Sequence, residues 1–101
     1  MAVAERISRS LRAIVWSRHA YQEAENDKIS AAALEDGLRA SFTLVEHYPE
    51  DPQGESSLVV TFLGSQAVHV MLSPREDFCY LITVYVPNPE RWDETFTRRS
   101  G

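Results

Sequence analysis

The sequence predicts a single α+β domain in which N-terminal helices pack on one face of a four-stranded antiparallel sheet. Three observations carry this. Apolar residues recur at spacings of three and four as far as Ala40, and at spacings of two after it. Turn-forming clusters at 49–54, 64–65 and 73–77 divide the second half into four extended runs. At 101 residues, 44% of them hydrophobic and 25% charged, the chain is long enough for one core and has no length for a second.

In residues 1–12, Val3, Ile7 and Leu11, continued by Ile14, set an apolar stripe. Arg6, Arg9 and Arg12 recur beside it as a basic face, which is the pattern of an amphipathic helix. Residues 13–16 read as a short extended or linking segment. Ser17 is placed to cap a helix running to about Asn26, where Asn26-Asp27-Lys28 ends it. Ser30 caps the next helix, with Ile29 stapling onto Leu34 and Glu35 spaced to support Arg39. Ala31-Ala32-Ala33-Leu34 favours that helix and Gly37 weakens it near its end. Residues 17–40 thus form a helical pair.

The antiparallel sheet is expected over 42–86, with strands at 42–48, 57–63, 66–72 and 78–86. Gly64-Ser65 makes a tight hairpin of the middle two. The last strand is apolar on both faces and therefore central. Pro87-Asn88-Pro89 stops the sheet, and 90–101 is a polar tail with Trp92 and Phe96 as anchors. Strand alternation places Leu58, Val60, Phe62, Val68, Val70, Leu72, Tyr80, Ile82, Val84 and Val86 under the helices. The opposite face then carries Val59, Thr61, Ala67, His69, Met71, Thr83 and Tyr85, with either His47 or Tyr48 according to register. In the main reading His47 faces solvent.

The formal charge is −5 and the pI about 5.1, which argues against broad non-specific binding to nucleic acid. Its distribution is uneven: +3 through His19, −10 from Ala20 to Thr97, and +2 from Arg98 and Arg99. Cys79 is the single cysteine and lies in an apolar run, so it reads as a buried, inert thiol. The N-terminal residues lack the apolar core of a signal peptide, and no apolar run approaches the roughly 18 residues of a membrane span. A cytoplasmic protein without membrane association is expected.

Ser17-Arg18-His19-Ala20 is followed by a helix and then by Ile29-Ser30, Glu46-His47-Tyr48-Pro49-Glu50-Asp51, Gly54 and Ser57-Leu58-Val59. Val68-His69-Val70, Ile82-Thr83-Val84-Tyr85 and Pro87-Asn88-Pro89-Glu90-Arg91-Trp92 complete the series. In that order, from about Ile14 to Arg99, the chain resembles the bacterial family called domain of unknown function 4258. That family resembles toxins of the RelE and MqsR type. The resemblance implies helices on one side of an antiparallel sheet, an RNA-facing opposite side, and an antitoxin encoded nearby. One departure stands out. Where relatives continue the His-Ala motif with arginines, this chain has the acidic stretch Tyr21-Gln22-Glu23-Ala24-Glu25-Asn26-Asp27-Lys28.

The expected activity is that of a toxin-like, metal-independent mRNA endoribonuclease. Such cleavage needs a base, an acid and a cation for the crowded phosphorane. Histidine suits the first two because its pKa of about 6.5 lies near working pH. Arginine suits the third because its guanidinium is always charged and grips two oxygens. His19 and His69 are the candidate acid–base pair, Arg18 the cation, and Tyr85 the positioning group. Tyr48, Arg75 and Thr83 are candidates for holding RNA or a partner. His19, His47, His69 and Cys79 lack the close pairing of a zinc motif, and no phosphate-binding glycine loop is present, so no metal or cofactor is expected. The alternative is a non-catalytic interaction module that keeps the scaffold and uses its acidic middle to bind a basic protein. The RNA itself or the ribosome is the expected partner of the first reading.

Overall fold

The computed structural model describes residues 2–100; Met1 and Gly101, the outer ends of the expected first helix and tail, lie outside the described residues. Three helices, α1 (Val3–Ser10), α2 (Arg18–Asn26) and α3 (Ala31–Ala40), share the fold with five strands. These are β1 (Ile14–Trp16), β2 (Thr43–Tyr48), β3 (Ser56–Leu63), β4 (Gln66–Pro74) and β5 (Cys79–Tyr85). They form one mixed sheet in the order β1-β5-β4-β3-β2, with β1 parallel to β5 and all other pairs antiparallel.

The expected four-stranded antiparallel sheet is thereby corrected. The segment read as a linker is a fifth strand, flanked by the amide of Cys79 donating to the Ala13 carbonyl at 2.8 Å and that of Ser17 donating to Leu81 at 3.0 Å. Three residues are too few to show alternation, and their partner lies near the other end of the chain. Past Trp16 the edge of β5 is covered differently. Val84 N–H donates to Glu23 at 3.1 Å and Val86 N–H to Asp27 at 3.2 Å. The acidic residues of α2 thus satisfy backbone donors that a longer β1 would have bonded.

The helix ends are built as the sequence predicts. Ser17 Oγ accepts from Ala20 N–H at 2.9 Å and Ser30 Oγ from Ala33 N–H at 3.2 Å. The first of these caps also donates to the Ile82 carbonyl at 3.0 Å, so it fastens α2 to the sheet. Lys28 ends α2 in the left-handed region (φ 58°), with Ile29 N–H bonded to Ala24 and Lys28 N–H to Glu25. That is a Schellman closure on lysine where glycine is the commoner choice. Gly64, at φ 65°, takes the position a two-residue hairpin requires of glycine.

All three helices lie on one side of the sheet, α1 over β4, α2 over β5 and α3 over β3. Ile7, Leu11, Ala20, Ala24, Leu34 and Leu38 from the helical layer meet Val59, Val68, Val70, Leu72, Cys79, Leu81 and Val84 from the sheet. For β4 this is the predicted face. For β3 it is not: Val59 and Thr61 stand opposite Val70 and Val68, on the helix side, while Leu58, Val60 and Phe62 face away. Opposite the Met71–Leu72 step of β4, β5 carries one extra residue, Ile82, and this bulge changes its phase, so Cys79, Leu81 and Val84 point to the helices and Tyr80 does not. The register in β2 settles the other open choice. Tyr48 pairs with Ser56 on the face away from the helices, and His47 pairs with Ser57 on the helix side.

His47 does not face open solvent. Its Nε2 lies 2.5 Å from Glu55, which also receives both terminal nitrogens of Arg6 at 2.5 Å. These bonds hold the Glu55 carboxyl down at about 2, the arginine contributing most.

Candidate functional site

The sheet face away from the helices is divided in two. One half is covered by residues 91–100, which fold into a small hairpin closed by a bridge between Trp92 and Arg99. Trp92, only 8% exposed, packs edge-on against the His69 ring at 4.5 Å between centroids. Phe96 meets Phe62 at 6.2 Å, and Arg99 lies over the Trp92 ring while pairing with Glu46. Leu58 and Val60, on the same face as this cover, are buried although they point away from the helices, and Val60 stands opposite the covered His69. The segment expected as a polar tail is therefore a structural lid whose anchors are the predicted aromatics.

His69 lies beneath it, completely inaccessible. The Phe96 carbonyl, 2.8 Å from Nε2, can only accept, so Nε2 carries the proton. Nδ1 then accepts from the Tyr85 hydroxyl at 3.0 Å. Burial pushes the imidazole below its ordinary pKa against the opposing pull of the Phe96 carbonyl and Glu46, and it raises the Tyr85 phenol. A neutral ring with both nitrogens engaged has no lone pair left for a substrate. Phe96 itself holds a positive φ of 61°, a strained setting for a bulky side chain, at the residue whose carbonyl takes that bond.

The other half is open. A groove of about 450 Å³ is walled by His19 and Ser17 from the start of α2, Tyr48 from β2, and Met71 from β4. Tyr80 and Ile82 from β5 form its floor, and Asp51, Gln53 and Gly54 from the β2–β3 loop join Arg75 at the far side. Of the seven residues proposed from sequence, this groove gathers three: His19, Tyr48 and Arg75. His69 and Tyr85 form a separate pair under the lid, and Thr83 stands opposite Met71 between the halves. Arg18 is exposed and does not line the groove. The structure does not bring together the two histidines and Arg18.

Each groove residue is positioned by its neighbours. His19, 66% exposed, places Nε2 3.2 Å from Glu23 one turn on, and the same Glu23 oxygen accepts from Val84 N–H. The contact is an ion-pair approach and not an aligned hydrogen bond, and neither ring nitrogen has a hydrogen-bond partner among the described residues. Arg75 donates from Nε to Ser73 Oγ at 2.9 Å, and Ser73 donates to the Glu55 carbonyl at 2.6 Å. Its guanidinium lies 5.9 Å from the Tyr80 ring centroid. Gly54 lies beside it at φ 112°, a backbone setting that L side chains rarely adopt, and a methyl group there would make only ordinary contact with the Arg75 Nη2 at 3.6 Å. Tyr48 donates to Glu46, whereas the Tyr80 hydroxyl has no partner among the described residues. Glu46 is held below the usual carboxylate range by Arg99 and Tyr48.

Sequence reasoning missed Glu23, Glu55 and Tyr80. The spacing of four between His19 and Glu23 was the available signal for the first. Tyr80 was placed under the helices because the bulge in β5 has no local mark. Among the described residues no three His, Cys, Asp or Glu side chains cluster as ligands of a metal would, and no helix is long and apolar enough to cross a membrane. No curated protein and no solved structure matches the chain. A family model does match, over residues 16–86, from the end of β1 to just beyond β5. The match takes in both halves of the sheet face away from the helices, without the lid, and spans well over half the chain, so the protein belongs to the family described as domain of unknown function (DUF4258).

Proposed function

We propose that the open groove binds a short stretch of single-stranded RNA and that His19 initiates its cleavage without a metal ion. The convergence of His19, Tyr80, Tyr48 and Arg75 on one cavity is the observation that carries this reading. Tyrosine faces stack bases without regard to sequence, and an arginine with no carboxylate in ion-pair range among the described residues supplies charge for a phosphate.

His19, beside the Glu23 carboxylate, takes the proton of a ribose 2′-hydroxyl on a ring nitrogen. The 2′-oxygen attacks phosphorus, Arg75 balances the charge gathering on the phosphoryl oxygens, and the Tyr80 hydroxyl protonates the departing 5′-oxygen. The products are a 2′,3′-cyclic phosphate and a free 5′-hydroxyl. The resemblance to RelE-type toxins motivates the cleavage reading, and a toxin of that kind needs a neutralising antitoxin. Both belong to the proposal.

Purified protein incubated with RNA and EDTA, with and without ribosomes, tests it. Cleavage should leave cyclic phosphate ends, fail on 2′-deoxy substrate, and fall about 10²-fold or more in His19→Ala. Equal cleavage by that variant would remove the mechanism. The second reading, a non-catalytic interaction module, is favoured by one observation: His69 is sealed, so the groove holds a single imidazole. A stable basic protein partner captured from the native host, with no RNA bound, would establish it.

A further inference from the structure

We infer that a second phosphate subsite lies beside the groove, in a pocket of about 340 Å³ between α1 and the β4–β5 turn, lined by Arg6, Arg9, Ser10, Pro74, Arg75 and Glu76. The inference rests on the RNA-binding reading and extends it, because Arg75 lines both cavities. A strand leaving the groove past Arg75 meets this pocket next.

Three guanidinium groups border one small cavity, yet they are not equivalent. Arg6 is neutralised by its paired bonds to Glu55. Arg12, on the same helix, points to Asp77 at 3.7 Å instead. Arg9 and Arg75 have no carboxylate within ion-pair distance among the described residues. Glu76 is the one acid in the lining, set against those two cations. In a chain of net charge −5 this leaves a local surplus of positive charge at a concave surface, where an oxyanion of a phosphodiester would be held between two arginines. The turn is rigid enough to present one of them. Arg75 N–H donates to the Phe78 carbonyl at 2.8 Å, and its Nε is tied to Ser73. The basic face of α1 thereby acquires a ligand class: the phosphate that follows the groove-bound nucleotides.

The test uses 2′-O-methyl oligonucleotides, which cannot be cleaved, of two and eight nucleotides, bound to the wild-type protein, Arg9→Ala and Arg9→Lys. For the octanucleotide, the slope of log affinity against log salt should fall by about 0.7 in Arg9→Ala, the contribution of one single-strand phosphate contact. Arg9→Lys should restore most of that slope, since the charge is kept. An octanucleotide bound by Arg9→Ala with the wild-type affinity and slope would overturn the subsite while leaving the groove reading intact. If the wild-type protein binds neither oligonucleotide, the groove reading fails. Inorganic phosphate titrated against the backbone amides of Ser10 and Arg75 then decides the pocket. Shifts lost in Arg9→Ala would sustain an anion site there, and their absence would overturn it.

Discussion

Replacing Glu55 by glutamine isolates the contact that ties α1, β2 and the groove wall together. Its carboxylate takes two bonds from Arg6 and one from His47, all at 2.5 Å, while its backbone carbonyl holds Ser73 and, through it, Arg75. Holding this carboxyl at about 2 instead of 4.5 corresponds to about 3 kcal/mol at full strength. The Arg6 side chain is 37% exposed and that of Glu55 24%. Screening at such a surface lowers the expected contribution to about 1–2 kcal/mol. In a domain of this size that is a fall in Tm of about 4–8 °C for each kcal/mol.

The sign with pH follows from the direction of the shift. A carboxyl held low stabilises the folded state above its unfolded value, and the stabilisation drains away as pH falls from about 4.5 towards about 2. Urea denaturation of wild type and Glu55→Gln across pH 2–7 should therefore show a difference near pH 7 that closes towards pH 2. Taking the difference cancels the carboxylates that do not touch this cluster, so it reports Glu55 with its partners Arg6 and His47. A gap of the same size at both ends, or none at pH 7, would refute the reasoning.

Trp92→Ala removes the indole that covers His69 and should destabilise the fold by about 3 kcal/mol, the low end for a buried tryptophan, since the lid has solvent on its outer side. With water admitted, the His69 pKa should rise towards its ordinary value, measurable by NMR titration of the ring protons; an unmoved titration would show that the lid is not what lowers it. Cys79, inaccessible and pushed up to about 11 by burial, should react with a thiol reagent only as fast as the protein unfolds. Rapid labelling of the native protein would contradict its place in the core.

What the sequence revealed and what it hid divide along the range of the interactions. Ser17, Ser30, the Glu35–Arg39 pair and the Gly64 hairpin were legible because each is decided within four residues. In β4 the alternation of Val68, Val70 and Leu72 gave the right face, since the helices cover those residues and the intervening His69 differs in kind. In β3 both faces are buried, one by helices and the other by the lid, so hydrophobicity alone carries no phase over 58–60. The parallel pairing of β1, the bulge in β5 and the return of Trp92 to His69 depend on contacts between distant parts of the chain. His19, Tyr48 and Arg75 were named from sequence and do share a cavity, but the partner assumed for His19 was the wrong one. The nearer group is Glu23, which a helix places one turn away, whereas His69 is held by the lid.

The acidic stretch of α2 bears directly on how the net charge should be read. In the fold, Glu23 accepts from Val84 N–H of β5 and lies in ion-pair range of His19, and Asp27 receives Val86 N–H. Glu35, Glu46 and Glu55 are likewise paired with arginines. These carboxylates are committed to internal partners, and their field is partly cancelled where they sit. Arg9 and Arg75, in contrast, have no such partners among the described residues and meet at one concave surface. A net charge of −5 is therefore compatible with a local basic track, because attraction for a phosphate is set by the charges within about 8 Å at physiological salt and not by the sum over the chain.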